Sequence, residues 1–252
     1  MFQKINEWMG MPPPMSEHGP MIDHMLAMLH LFMLALFVGW STFFVYTLIR
    51  FRRRRNPKAD HGGVKNHTSS HLEVGVIVVE AMLLLGFAFP LWAVRVNDFP
   101  ESEDTVRVRV YGYQYGWLYQ YPGPDGKFGR HDPFLVTSEN PVGMDPEDPN
   151  SEDDIVESGV LNLPLERPAI LYITSKDVIH NYAIPKMRIA QDANPSLFVP
   201  MWFTPVELGT VDVICGQLCG GGHANMANLL TIMPSEEWNA QYAPAPEAPT
   251  DA

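Results

Sequence analysis

The 252 residues carry 17 Lys or Arg against 29 Asp or Glu, a formal charge of −12, with 46% apolar residues. An acidic surplus of that size excludes a chain built to grip phosphate backbones, so no nucleic-acid partner is expected. The apolar residues gather in two blocks and leave the rest polar, which excludes an evenly mixed globular enzyme and fits an outer domain anchored in a membrane.

Residues 1–24 precede the first block, with Lys4 offset by Glu7, Glu17 and Asp23. This segment has no basic lead, and the apolar run behind it is longer than a signal core, so a cleaved signal peptide is not expected. The run from Met25 to Ile49, "MLAMLHLFMLALFVGWSTFFVYTLI", holds no Lys, Arg, Asp or Glu. At about 1.5 Å per helical residue it crosses the ~30 Å hydrocarbon layer. The second run, Val74 to Val94, contains one carboxylate, Glu80, and one proline, Pro90. Both are tolerated in a span that packs against protein. Between the runs, "RFRRRRNPKADHGGVKNH" places seven Lys or Arg from Arg50 to Lys65. The positive-inside rule makes this loop, residues 50–72, cytoplasmic and puts both termini on the other face. A transmembrane hairpin over 25–96 is therefore expected, followed by a C-terminal domain outside the cytoplasm. In a bacterium that face is the periplasm, where two cysteines can form a disulfide.

From Glu101 onward strand signals replace helical ones. "TVRVRVYGYQYGW" alternates Val106, Val108 and Val110 with Arg107, Arg109 and Tyr111, the period-2 pattern of a half-buried strand. Further β-branched runs stand at 168–174, 209–214 and 228–233, with Pro and Gly between them. Several short strands at this spacing predict a Greek-key β-sandwich over 101–238. Between Asp132 and Glu157 lie nine carboxylates and no Lys or Arg. Residues 132–157 read as a mobile acidic insertion, either a solvated loop or a landing area for a basic partner. The Pro/Ala-rich end, residues 239–252, is expected to be a disordered tail.

The chemistry concentrates in "VICGQLCGGGHANMANLLTIM", residues 213–233. Cys215 and Cys219 are the only cysteines, with His223 and Met226 close behind. Four glycines in "GQLCGGGH" rule out a comfortable helix and favour a loop that brings side chains to one point. Thiolate, imidazole and thioether together favour copper; two thiolates and a histidine also suit zinc, although Met is rare in structural zinc sites. A disulfide remains open if the two Cα atoms come within ~7 Å. A second histidine is available at the end of a strand, His180 in "SKDVIHNYAIP".

"DVIHNYAIP", "CGQLCGGGHANM" and the aromatic "GYQYGWLYQY", all behind a two-helix hairpin, resemble subunit II of haem-copper cytochrome c oxidases. The resemblance runs from the first span to about Trp238. It implies an all-β cupredoxin-like Greek-key sandwich carrying CuA, a copper pair bridged by two thiolates. It assigns Cys215 and Cys219 as bridges, His180 and His223 as one cap each, Met226 as a weak axial ligand and the Gln217 backbone carbonyl as the other. The family's magnesium site uses a glutamate side chain where Gln217 stands. A neutral amide is a weaker partner for a hard cation, which leaves magnesium open here. Tyr115 stands where the family has the tryptophan used for electron uptake, Trp117 matches the second tryptophan, and Asp177 joins them as an expected donor-docking residue. Glu73 matches a carboxylate at the mouth of the family's proton pathway. Glu80, two turns deeper, is either a further pathway residue or a partner for another subunit.

The resemblance thus implies an electron-transfer subunit that takes electrons from cytochrome c or an equivalent periplasmic donor. It passes them to haem in subunit I, whose haem and copper B site reduces oxygen, alongside other oxidase subunits. A two-span protein of the bacterial cytoplasmic membrane is expected ahead of one in the mitochondrial inner membrane. The alternatives are a quinol-oxidase subunit II that has lost CuA, or a membrane-tethered copper-binding protein. A blue-copper carrier is disfavoured because such sites use a single cysteine.

Overall fold

The computed structural model describes residues 2–58, 61–62 and 67–242. Among these residues two units separate: one holds residues 2–12 and 21–94, the other residues 13–20 and 95–242.

The first unit is helical. A short α1 (Phe2–Trp8) precedes α2 (Gly19–Arg50), which starts six residues earlier than the apolar run suggests. The second long helix begins as α3 (Thr68–Leu83), widens to a π turn over Leu84–Ala88 and continues as α4 (Phe89–Asn97). Helix α3 takes in residues 68–72, which the charge pattern had assigned to the basic loop. Pro90 has no N–H to give to Gly86, and its ring crowds that carbonyl in a regular helix. The widened turn lies across this position and relieves the conflict. At 32 and 30 residues, Gly19–Arg50 and Thr68–Asn97 are each long and apolar enough to cross a bilayer. Glu73 and Glu80 are seven residues apart on α3, so they share one face, two turns from each other.

The second unit is a sandwich of two five-stranded sheets. One has the order β3 (Ile155–Ser158), β2 (Gly116–Tyr121), β1 (Val106–Tyr113), β5 (Ala169–Ser175), β8 (Val199–Phe203). The other has β4 (Val160–Pro164), β10 (Ala227–Met233), β9 (Gly209–Cys215), β6 (His180–Ile184), β7 (Ile189–Ala193). Most neighbours are antiparallel; β1 pairs with β5 and β4 with β10 in parallel. The chain changes sheet five times, first at Gly159, whose φ of 86° suits a residue without a Cβ, and again on each side of β5 and on each side of β8. Val106, Val108 and Val110 face the core as the alternation predicts, joined by Trp117, Tyr119, Tyr121, Leu171 and Tyr182, all essentially sealed from solvent. The three later strand predictions land within one residue of β5, β9 and β10.

Three boundaries of this unit differ from the sequence reading. The aromatic stretch is a hairpin, not one strand: Tyr113 pairs with Gly116 and the chain reverses at Gln114–Tyr115. Residues 15–17 lie on the sandwich, with Met15 N–H donating to Lys186 O at 2.8 Å and Ser16 Oγ to Met187 O at 2.7 Å. The chain thus leaves this unit at Pro20 and returns to it at Arg95. At the other end, residues 239–242 are not a tail. They complete α5 (Ser235–Tyr242), whose Trp238 and Tyr242 rings stack with centroids 5.2 Å apart, both buried. The rest of the expected tail, 243–252, lies outside the described residues.

The acidic insertion is also held in place, and its last residues are strand β3. Asp132 caps the Phe134 N–H, Asp145 pairs with Arg130, and Asp148 accepts from the Arg130 N–H. Asp153 accepts from the Asp125 N–H, Asp154 from Gln120 and the Gly129 N–H, and Glu157 from Tyr242. These six carboxylates make turns and link loops. Glu139, Glu147 and Glu152 are the three exposed ones.

Because Leu171 is sealed in the inner strand β5, Leu171→Ala is expected to cost about 2–5 kcal/mol. Leu197→Ala, at a side chain 58% exposed, should stay within about 0.5 kcal/mol. Chemical denaturation followed by tryptophan fluorescence measures both, and equal costs would contradict this core assignment.

Candidate metal centre

Three strand ends converge at one edge of the second sheet. Strand β6 begins at His180, β9 ends at Cys215, and Tyr182 pairs with Cys215 across the ladder. The chain then loops through 216–226 and re-enters the sheet as β10, which is fastened by Cys215 N–H donating to Met226 O at 3.2 Å. Gly216 lets the loop leave tightly, since a Cβ there would stand 2.5 Å from Asn181 Oδ1. Gly112 plays the same part beneath the histidine: a Cβ there would be 3.0 Å from the His180 ring and 2.9 Å from Trp117.

The donor atoms come together at this edge. Cys215 Sγ lies 3.9 Å from Cys219 Sγ and 3.9 Å from His180 Nδ1. Cys219 Sγ lies 3.7 Å from His223 Nδ1 and 3.7 Å from Met226 Sδ. The Gln217 carbonyl oxygen is 3.2 Å from Cys215 Sγ, while its side chain points to an exposed position. The donor atoms of His180, Cys215 and Cys219 all fall within 4.8 Å of one another, with all three residues buried. Both cysteines are free thiols, and their sulfurs are far beyond the ~2.05 Å of a disulfide. A separation of 3.9 Å is instead one that lets both sulfurs reach a shared metal at ~2.3 Å each.

The surroundings fix the histidine. His180 Nε2 donates to Asp177 Oδ1 at 2.8 Å, which leaves Nδ1 facing Cys215 as the free donor, the carboxylate–histidine arrangement common behind metal ligands. Burial works against the Asp177 charge. Hydrogen bonds from His180 and from the Gln114 and Val178 N–H groups outweigh it and hold the carboxyl below its ordinary range. Burial, then the adjacent Cys215 thiol, push the Cys219 thiol up.

Every residue the sequence named as a metal ligand is therefore in this cluster. The aromatic residues divide. Tyr115 is 41% exposed beside the loop, whereas Trp117 is wholly buried between His180 and Tyr182, at ring centroid distances of 5.8 and 4.8 Å. A docking partner can touch Tyr115 but not Trp117. The Asp177 carboxylate is occupied by His180 and Gln114. Two residues escaped the sequence reading: Gln114, bonded to the cysteine loop, and Asn228, whose Nδ2 donates to Trp117 O at 3.1 Å. The glycines at 220 and 222 were the available signal, because they mark a loop that another segment approaches closely.

The family described as "Cytochrome C oxidase subunit II, periplasmic domain" matches residues 106–232. The alternative cytochrome c oxidase subunit 2 of Bradyrhizobium diazoefficiens is 31% identical over 206 residues, covering 81% of this chain and 73% of that protein. Cytochrome c oxidase subunit 2 of Cereibacter sphaeroides is 26% identical over 208 residues, 78% of this chain and 66% of that one. The crystal structure of the periplasmic domain of subunit II from Bradyrhizobium japonicum aligns with a TM-score of 0.40 at 24% identity, over 56% of this chain and 91% of that one. With its two apolar helices, its two-sheet sandwich and a family domain that spans the whole donor cluster, the chain belongs to the cytochrome c oxidase subunit II family.

Proposed function

We propose that this chain is the electron-accepting subunit of a respiratory oxidase, with a CuA copper pair held by His180, Cys215, Cys219, His223, Met226 and the Gln217 carbonyl. The observation that carries the reading is the buried pair of free thiols 3.9 Å apart, each with an imidazole Nδ1 within 3.9 Å. Two thiols, two imidazoles and a thioether form a soft donor set that suits copper in both oxidation states. When bound, the copper pair supplies one-electron storage shared through two thiolates.

The chain's own groups do the rest. Asp177 orients His180, Met226 closes the sulfur side of the pocket, and the buried wall of Trp117 and Tyr182 keeps water from the donors. Tyr115 offers the donor an aromatic face next to the cysteine loop. The donor is cytochrome c or an equivalent periplasmic protein, and the acceptor is haem in subunit I, next to which the two spans dock in the cytoplasmic membrane. Glu139, Glu147 and Glu152 draw a basic donor toward this face. Glu73 and Glu80 serve as proton-carrying or subunit-pairing carboxylates within the second span. Magnesium stays outside the proposal because the exposed Gln217 amide supplies no charge for it.

Two outcomes follow. The full chain loaded with copper should show an intense visible absorption from sulfur-to-copper charge transfer, and Cys215→Ser should abolish it; a colourless protein with copper present would contradict the site. In stopped-flow mixing with a basic cytochrome c, the triple change Glu139→Gln, Glu147→Gln, Glu152→Gln should slow association several-fold at low salt and flatten its decline with ionic strength. An unaltered salt profile would remove the acidic segment from docking.

A further inference from the structure

The turn between β1 and β2 touches both halves of the metal centre. Gln114 Nε2 donates to the Cys219 carbonyl oxygen at 2.6 Å, and the Gln114 backbone N–H donates to Asp177 Oδ2 at 2.7 Å. The second oxygen of the same carboxylate, Oδ1, accepts from His180 Nε2 at 2.8 Å. One residue is thereby joined to the cysteine loop by its side chain and to the His180 arm by its backbone. These two arms come from different places in the fold. His180 opens β6 after a sheet change, and Cys219 stands in the loop between β9 and β10.

The loop is shaped to receive this turn. A Cβ at Gly220 would lie 2.7 Å from Gln114 Nε2 and 2.5 Å from Tyr115 Oη, and one at Gly222 would lie 2.4 Å from Tyr115 Cδ2. Gly220 also has a φ of 143°, which L side chains rarely adopt. The turn is thus seated on bare backbone. Its contact with the Cys219 carbonyl needs a neutral donor of this length: Glu would present only acceptors there, and Lys would set a positive charge beside the thiols.

We propose that Gln114 is a positioning residue that clamps the cysteine loop to the His180 arm. It fixes the separation of the sulfur and imidazole donors before metal arrives and resists their movement when an electron enters or leaves. The role deepens the copper reading and rests on it. The Cys219 carbonyl is the handle, because pulling on it orients the peptide that carries Sγ. Tyr115, the other residue of the turn, supplies the exposed face, so the surface a donor meets and the frame around the metal are parts of one two-residue loop.

The test uses the full-length chain in detergent, with Gln114→Leu to remove the amide at similar bulk and Tyr115→Phe as a control that keeps the ring. With copper bound, transfer of metal to a chelator and the copper hyperfine pattern in electron paramagnetic resonance are read. Without metal, amide hydrogen exchange is read over residues 216–225, with β4 and β10 as internal references. Gln114→Leu is expected to take up a full complement of copper, release it about 10-fold faster, and change the hyperfine pattern. Its metal-free loop should exchange about 10-fold faster while β4 and β10 exchange at wild-type rates, a pattern that general loss of stability does not produce. Should Gln114→Leu fail to fold, Gln114→Asn keeps the amide but shortens its reach and carries the same expectations. Wild-type release, spectrum and exchange in the variant would overturn the clamp while leaving the copper reading intact. If the wild-type chain binds no copper pair, the copper reading fails, and unchanged loop exchange would then overturn the clamp as well.

Discussion

Two thiols held 3.9 Å apart in a buried pocket are the constraint on which the rest of this structure depends. Left to local forces, a glycine-rich loop samples many shapes. What opposes this here is long-range: the sheet fixes Cys215 against Tyr182, the Met226 carbonyl anchors the loop's return, and the hairpin turn holds Cys219 from outside. The sandwich is thus a frame around an otherwise weakly determined loop. Its buried aromatic wall does two jobs, since Trp117 and Tyr182 fill the core and also pack behind His180.

The two apolar helices and the cluster of sulfur and imidazole donors were legible in the sequence for different physical reasons. A bilayer imposes a length and a polarity on any segment that crosses it, so the apolar runs announce themselves without reference to other parts of the chain. Soft donors at close spacing are chemically specific, and the resemblance to a known family then supplied His180 from a distant strand. The strands at 169–175, 209–215 and 227–233 were legible because β-branched runs bounded by Pro and Gly need little context.

Other features were illegible because they exist only through pairing. Nothing local separates Tyr113, Gln114, Tyr115 and Gly116 from a continuous strand; the reversal appears when β1 and β2 bond to each other. Residues 15–17 and helix α5 read as polar ends, and become part of the domain only by contact with Lys186, Met187 and Glu157. The acidic insertion misled for a related reason. Composition counts nine carboxylates alike, but six of them accept hydrogen bonds that tie the loop together, and only Glu139, Glu147 and Glu152 are exposed. Trp117 belongs with these cases: an aromatic beside a candidate metal site reads as a surface contact until its burial is known.

The most direct measurement is copper content set against unpaired spins on the full-length chain. The account predicts two copper ions per chain sharing a single unpaired electron in the oxidised form, with both cysteine sulfurs bound. One copper per spin, a zinc ion in the pocket, or a Cys215–Cys219 disulfide in the native protein would contradict it.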